Sequence, residues 1–141
     1  MKKVVFMGLL VLISSQLSYG QMSDAQSIEK AIIGFSKAGD TYDTEALEKY
    51  LDPNYRIIMN QLFGSKELSI MSRNVYLEKI RTKVFGGDNR KLTFNAVLIN
   101  SNTASVKVTM EGKKATFISI LQLLKNSQGE WKLISDMPTV L

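Results

Sequence analysis

The chain of 141 residues carries 18 Lys and Arg against 13 Asp and Glu, and it contains neither Cys nor His. Its length fits one domain with one core. The missing residue types exclude disulfides, thiolate metal sites, thiol nucleophiles, histidine general bases and the Ser–His–Asp arrangement, so stability rests on packing and no metal or cofactor is expected.

The first twenty residues, MKKVVFMGLLVLISSQLSYG, have the layout of a secretory leader. Lys2 and Lys3 open it, an apolar run follows from Val4 to Ile13, and small Ser18 and Gly20 precede a cut that leaves Gln21 first. The rival is an uncleaved anchor, but the apolar run falls well short of the roughly 20 residues of a membrane span. No Cys follows it to carry a lipid. The expectation is a leader at 1–20, a single domain at 21–141, export to the periplasm or medium, and no stable membrane insertion after cleavage. Loss of Lys2 and Lys3 lowers the net charge from +5 to +3. The remaining basic clusters, KIRTK and NRK, are short and do not alternate with aromatic residues, so no nucleic-acid partner is expected.

From Ser23 the chain reads as a helix, with Asp24 as a cap, Ile28, Ala31, Ile32 and Phe35 on one stripe, and Gly39 as a stop. A shorter helix follows in DTYDTEALEKYL, capped by Asp43 or Thr44, with Ala46, Leu47, Tyr50 and Leu51 inward and Pro53 ending it. Tyr55–Asn60 and Glu67–Ser72 alternate as a hairpin around a turn at Gly64. Ser72 caps a third helix whose apolar stripe is Val75, Tyr76, Ile80, Val84 and Phe85, closed by Gly86–Asn89.

Four strands then follow: KLTFNAVLIN, ASVKVTME, ATFISILQLLK and EWKLISDMPTV, joined by short turns. FISILQLLK also reads as a helix, and that alternative stays open. The order predicts an α+β fold, with helices on one side of a curved, mostly antiparallel sheet.

Three stretches carry a resemblance: IEKAIIGFSKAGDTYDTEALEKYLDPNYRIIM, LSIMSRNVYLEKI and GEWKLISDM. Their order resembles the nuclear transport factor 2-like superfamily, in its lumazine-binding-like or SnoaL-like bacterial branch, over roughly Ser23 to Pro138. The run Leu51–Asp52–Pro53–Asn54–Tyr55–Arg56 fits that family's pattern, with Asp52 where His is common. The resemblance implies a cone: three N-terminal helices packed on a strongly curved sheet around a cavity, and a homodimer paired through the sheet face. Members of the superfamily include isomerases, dehydratases, cyclases, ligand binders and mediators of protein contacts, so the fold alone does not give a function. Without His, every His-based version is excluded. A Tyr/Asp mechanism resembling ketosteroid isomerase stays open, although its acids have no clear counterparts here.

Alternation places Phe35, Tyr55, Ile57, Met59, Met71, Tyr76, Phe94, Val106, Val108, Ile118, Ile120, Gln122 and Trp131 near such a cavity. A one-residue error on any strand reverses its set. Tyr55 and Tyr76 either donate hydrogen bonds to a ligand or are amphipathic core residues. Gln122 interrupts ISILQLL and needs a partner, from a ligand or a neighbouring strand. Trp131 either stacks on a planar ligand or belongs to the core or a dimer interface. Asp40 and Asp43 read as caps. Asp136 is the strongest catalytic candidate, with Tyr55 and Tyr76 beside it, and is otherwise a strand-end residue. Arg56 and Arg73 clamp an anion or pair with surface acids. Met59, Met71, Met110 and Met137 give a soft lining to a pocket or a core.

Three functions follow from this reading. The first is non-catalytic binding of a small apolar or planar molecule. The second is an interaction or structural module whose cavity is filled by Phe35, Met59, Tyr76 and Trp131. The third is a Tyr/Asp-dependent isomerase or lyase with a buried carboxylate near a tyrosine.

Overall fold

A computed structural model describes residues 22–141, and the leader expected at 1–20 lies outside them. Helix α1 spans Asp24–Asp40. Its cap is Ser23 and not Asp24: the Ser23 hydroxyl accepts from the Gln26 amide at 3.2 Å, and the Gln26 side chain accepts from the Ser23 amide at 3.0 Å. This reciprocal pair satisfies two amides that a helix start leaves open. Asp24 is thereby free to pair with Lys125 at 2.7 Å. Ile28, Ala31, Ile32, Phe35 and Ala38 form the buried stripe of α1. Gly39 does not stop the helix but lies buried in its last turn, packed near Arg90 and Tyr76.

Helix α2, Thr44–Tyr50, is capped by Asp43, whose carboxylate accepts from the Ala46 amide at 3.0 Å. Leu51, expected in this helix, instead opens strand β1, Leu51–Asn60. Pro53 lies inside β1, where the pairing with strand β6 (Trp131–Val140) is interrupted between Leu51 and Arg56. A residue without an N–H is tolerated where the ladder is already broken.

Strand β2, Leu68–Ser72, leads directly into α3, Arg73–Arg81, capped by Ser72. The apolar stripe expected for α3 changes: Val75 is exposed, Val84 lies beyond the helix and is exposed, and Leu77 is buried with Tyr76 and Ile80. Nine residues end the helix before Val84 can join its inward face.

Strands β3 (Lys91–Asn100), β4 (Thr103–Glu111) and β5 (Thr116–Lys125) complete the chain with β6. FISILQLLK is therefore strand, and its β-branched residues suit a surface half-buried between neighbours. The six strands form one sheet in the order β2-β1-β6-β5-β4-β3. Every pair is antiparallel except β1 with β6.

Two irregularities shape the sheet. Phe94 pairs with Val108 but Ala96 with Lys107, so β3 carries one extra residue at Asn95. Gln122 pairs with Ser135 but Leu123 with Leu133, so β6 carries one at Ile134. Such bulges bend a strand and increase its twist. All three helices precede β3, the third after the β1–β2 pair. Phe35, Leu47, Tyr55 and Ile80 from the first half pack with Val106, Val108, Leu121 and Leu133 of the sheet.

Candidate functional site

A cavity of about 410 Å³ opens between the helices and one face of the sheet. Phe35 of α1, Tyr76 and Ile80 of α3, Ile57 and Met59 of β1, and Met110 of β4 line it. Phe117 and Ser119 of β5 and Asp136 and Pro138 of β6 line the sheet side. Leu62, Phe63, Val84, Phe85, Gly86, Lys114 and Ala115 contribute from three loops at one end. The walls are apolar, with a few polar groups among them.

Of the residues expected at a cavity, Phe35, Ile57, Met59, Tyr76 and Asp136 line it. The others lie elsewhere. Tyr55, Met71, Val106 and Val108 are buried in the packed core, and Phe94 packs against it. Ile118 and Ile120 point to the other face, because β5 runs with the opposite parity: its buried positions are Ser119, Leu121 and Leu123. Gln122 is exposed on that outer face, where it accepts a hydrogen bond from Ser135 at 2.7 Å. Trp131 is a core residue whose indole donates to Asp24 at 3.1 Å, with the Lys125 ammonium 5.4 Å from its ring centre.

The positively charged candidates lie outside as well. Arg73 sits by the Glu48 carbonyl at 3.5 Å and its carboxylate at 3.8 Å, and Arg56 is exposed. Asp43 is the α2 cap. Asp40, expected as a cap, is instead the last residue of α1, and its carboxylate accepts from the Arg90 amide at 2.8 Å, the Arg90 Nε at 3.1 Å and the Asp88 amide at 3.3 Å.

Arg90, Asp88, Ser119 and Phe117 are among the cavity residues that sequence reasoning missed. Ser119 had a signal. ISILQLL contains two polar breaks, Ser119 and Gln122, three positions apart, and alternation sends them to opposite faces. The structure turns Ser119 inward. Arg90 gave no comparable sign, since only the fold brings NRK to the end of α1.

The floor of the site is aromatic and acidic, and Tyr55 packs behind it in the core. Tyr55 and Tyr76 have ring centres 5.6 Å apart, and Phe35 lies 6.3 Å from each. Burial pushes both phenols well above their ordinary range; the Asp136 charge adds to this, and Arg90 opposes it. Both hydroxyls therefore keep their protons and can serve as donors. Burial likewise raises the Asp136 carboxyl to about 6, against the pull of the Ser119 hydroxyl and Arg90. Among the described residues, Asp136 Oδ1 and the Tyr55 hydroxyl are buried and have no hydrogen-bond partner. Unpaired buried polar atoms are uncommon in folded proteins and often mark function.

Arg90 anchors the side of the cavity. Its guanidinium pairs with Asp40, reaches the Ser36 carbonyl at 3.4 Å and approaches the Met110 sulfur at 3.7 Å. Asp88 holds the β4–β5 turn by accepting from the Lys114 amide at 2.8 Å. Gly86, at φ +88, lies against the Gly39 carbonyl, where a side chain would collide. Among the described residues no group of three or more Asp, Glu, His or Cys side chains could hold a metal.

The sequence matches the family model described as "Putative lumazine-binding" over residues 23–137. No curated protein matches it. Among solved structures, a nuclear transport factor 2-like protein of unknown function from Shewanella baltica OS155 is 16% identical, with a TM-score of 0.71, over 86% of this chain and 98% of that one. A counterpart from Silicibacter pomeroyi DSS-3 is 15% identical, with a TM-score of 0.72, over 85% of this chain and 100% of that one. A ketosteroid isomerase-like protein from Erwinia carotovora atroseptica SCRI1043 is 15% identical, with a TM-score of 0.63, over 82% of this chain and 94% of that one. The likeness to these structures is one of fold. The matched family model covers most of the chain, which therefore belongs to the family described as "Putative lumazine-binding", and its α+β architecture with a curved sheet is the fold of the nuclear transport factor 2-like structures above.

Proposed function

We propose that this is an exported protein that holds a small, largely apolar or planar molecule in a cone-shaped cavity and performs no chemistry on it. The observation that carries this reading is an open, apolar-walled chamber of about 410 Å³ with the unpaired Asp136 Oδ1 at its floor. Ligand sites commonly combine apolar walls with a few convergent polar groups. An interior filled by Phe35, Met59, Tyr76 and Trp131 does not fit that volume, and Trp131 is absent from the lining. The leader-like first twenty residues support export. The name of the matched family supports a small-molecule ligand.

Native mass spectrometry of the protein taken from its own exported fraction tests the reading. A retained small mass that is lost on unfolding is expected. A ligand-free spectrum together with no uptake of an apolar fluorophore overturns it. The same spectrum tests pairing of two chains through the outer sheet face. There Ile58 lies opposite Ile70, and Met137 opposite Ile120, as an apolar row.

One observation favours a second reading, an isomerase or lyase. The Asp136 carboxyl, raised to about 6 beside two protonated tyrosines, has the poise of a general base. The two tyrosines form no hydrogen bond with it among the described residues, which is why binding stands first. Deuterium exchange into an enolisable ketone, with a pH profile inflecting near 6 and lost in Asp136→Asn, would move catalysis ahead of binding.

A further inference from the structure

Phe63 is 72% exposed at the rim of an apolar chamber. The backbone of the β1–β2 loop holds it there: Gln61, Phe63 and Gly64 adopt φ of 54, 53 and 79. Bulky residues avoid that region, so the outward position is specified by the loop. The edge of the Phe63 ring meets Phe117, with centres 6.3 Å apart, and the rest faces solvent. Val84, 61% exposed, joins the same rim from the α3–β3 loop. Leu141, 78% exposed, lies at the same end, with its amide on the Thr116 carbonyl at 3.0 Å.

The three loops of this rim also carry exposed Lys66, Lys83, Lys113 and Lys114. Two nearby acids are already engaged: Asp88 is buried and holds the Lys114 amide, and Asp40 pairs with Arg90. Glu111, Glu67 and the chain terminus remain. Exposed apolar tips ringed by lysines, around the opening of an apolar chamber, are complementary to a lipid surface that is apolar beneath and anionic above.

We propose that this rim docks reversibly on an anionic lipid bilayer. Phe63 and Val84 enter the headgroup boundary, the lysines meet lipid phosphates, and the chamber opens toward the membrane. An aromatic ring suits that boundary. Each lysine near an anionic surface strengthens binding roughly fivefold. The contact is peripheral: among the described residues no helix is long and apolar enough to cross a membrane. The docking stands on the rim alone. Its purpose, exchange of an apolar ligand with the bilayer, rests on the binding reading above.

The test uses the chain from Gln21 to Leu141, which holds every helix and strand of the described fold. It is sedimented with vesicles of phosphatidylcholine and phosphatidylglycerol, and separately with phosphatidylcholine alone. Binding to the anionic vesicles, weakened by salt, is expected. The double variant Phe63→Ser/Val84→Ser and the double variant Lys113→Glu/Lys114→Glu should each lose roughly tenfold or more of it. These side chains are exposed, and unchanged thermal unfolding verifies the fold of each variant.

No binding, equal binding to both vesicle types, or variants that match the parent overturn the proposal. So does self-association abolished by Phe63→Ser/Val84→Ser without vesicle binding, which assigns the rim to a second copy. Uptake of N-phenyl-1-naphthylamine without vesicles reads the chamber separately. The double variant Lys66→Glu/Lys113→Glu, at two exposed lysines outside the chamber lining, should keep uptake and lose vesicles, and vesicle binding equal to the parent's overturns docking. Vesicle binding by a parent chain that takes up no fluorophore also supports docking, and it removes the ligand reading alone.

Discussion

Asp136 on β6 stands directly opposite Leu121 on β5, on the face that lines the cavity. Counted by twos from Trp131 and Leu133, it would face outward. The extra residue at Ile134 reverses the parity of the strand beyond it. Ser135 therefore meets Gln122 on the outer face, and Asp136 and Pro138 turn inward. One bulge places the only carboxylate at the floor of the chamber among its lining residues, with Asp88 held at the mouth.

That placement has a pH signature. Between its ordinary value of 3.8 and the folded value of about 6, Asp136 keeps its proton in the folded chain and loses it in the unfolded one. Its contribution to stability is therefore fully present below 3.8, declines as pH rises through that window, and is absent above about 6. The change is on the order of 3 kcal/mol. Asp136→Asn should raise the melting temperature at pH 7.5, change it little at pH 4, and flatten the profile between. Thermal melts of both proteins across this range check it.

The Asp40–Arg90 pair should behave oppositely to a surface ion pair. Its side chains are 9% and 15% exposed, and the carboxylate also holds two backbone amides. Asp40→Ala leaves the Arg90 charge and those amides without their partner, at a cost of about 2–4 kcal/mol. Urea unfolding of the single variants and of Asp40→Ala/Arg90→Met measures it; a loss under about 1 kcal/mol would place the pair with surface bridges.

Ser119 is 1% exposed and lines the chamber. Ser119→Leu should fill part of the volume and cut fluorophore uptake roughly tenfold, and loss of the hydroxyl that favours the Asp136 carboxylate should also lower stability near neutral pH. Equal uptake by the variant would place the binding elsewhere. Fluorescence titration and a thermal melt of the same sample separate occupancy from unfolding.

Ser23→Ala removes one half of the α1 capping box and should lower stability by about 1 kcal/mol. Ser23→Asp should retain most of it. Denaturant midpoints of the three chains decide the point.

Much of the architecture was legible because local rules act locally. The stripe from Ile28 to Phe35 gives α1, Asp43 and Ser72 give the starts of α2 and α3, and the alternation of Val106, Val108 and Met110 gives the inward face of β4. Leu51 and Val84 were assigned to helices because periodicity does not say where a helix stops. The pairing of β1 with β6 supplies the first limit, and the C-terminal cap at Thr82 with Lys83 at φ 60 supplies the second.

The site was only partly legible. Phe35, Ile57, Met59, Tyr76 and Asp136 were among the residues named from sequence and line the chamber, while Ile118, Ile120 and Gln122 face the opposite way. A strand's period gives two faces but does not label them; the label comes from which neighbour it pairs with and where a bulge falls. Arg90 and Asp40 lie fifty positions apart along the chain and meet 3.1 Å apart in space. Composition alone had already removed histidine, thiol and disulfide chemistry. What lines the chamber, and what its floor presents to a ligand, is decided by long-range pairing, because the residues that converge there come from six separate helices and strands and the loops between them.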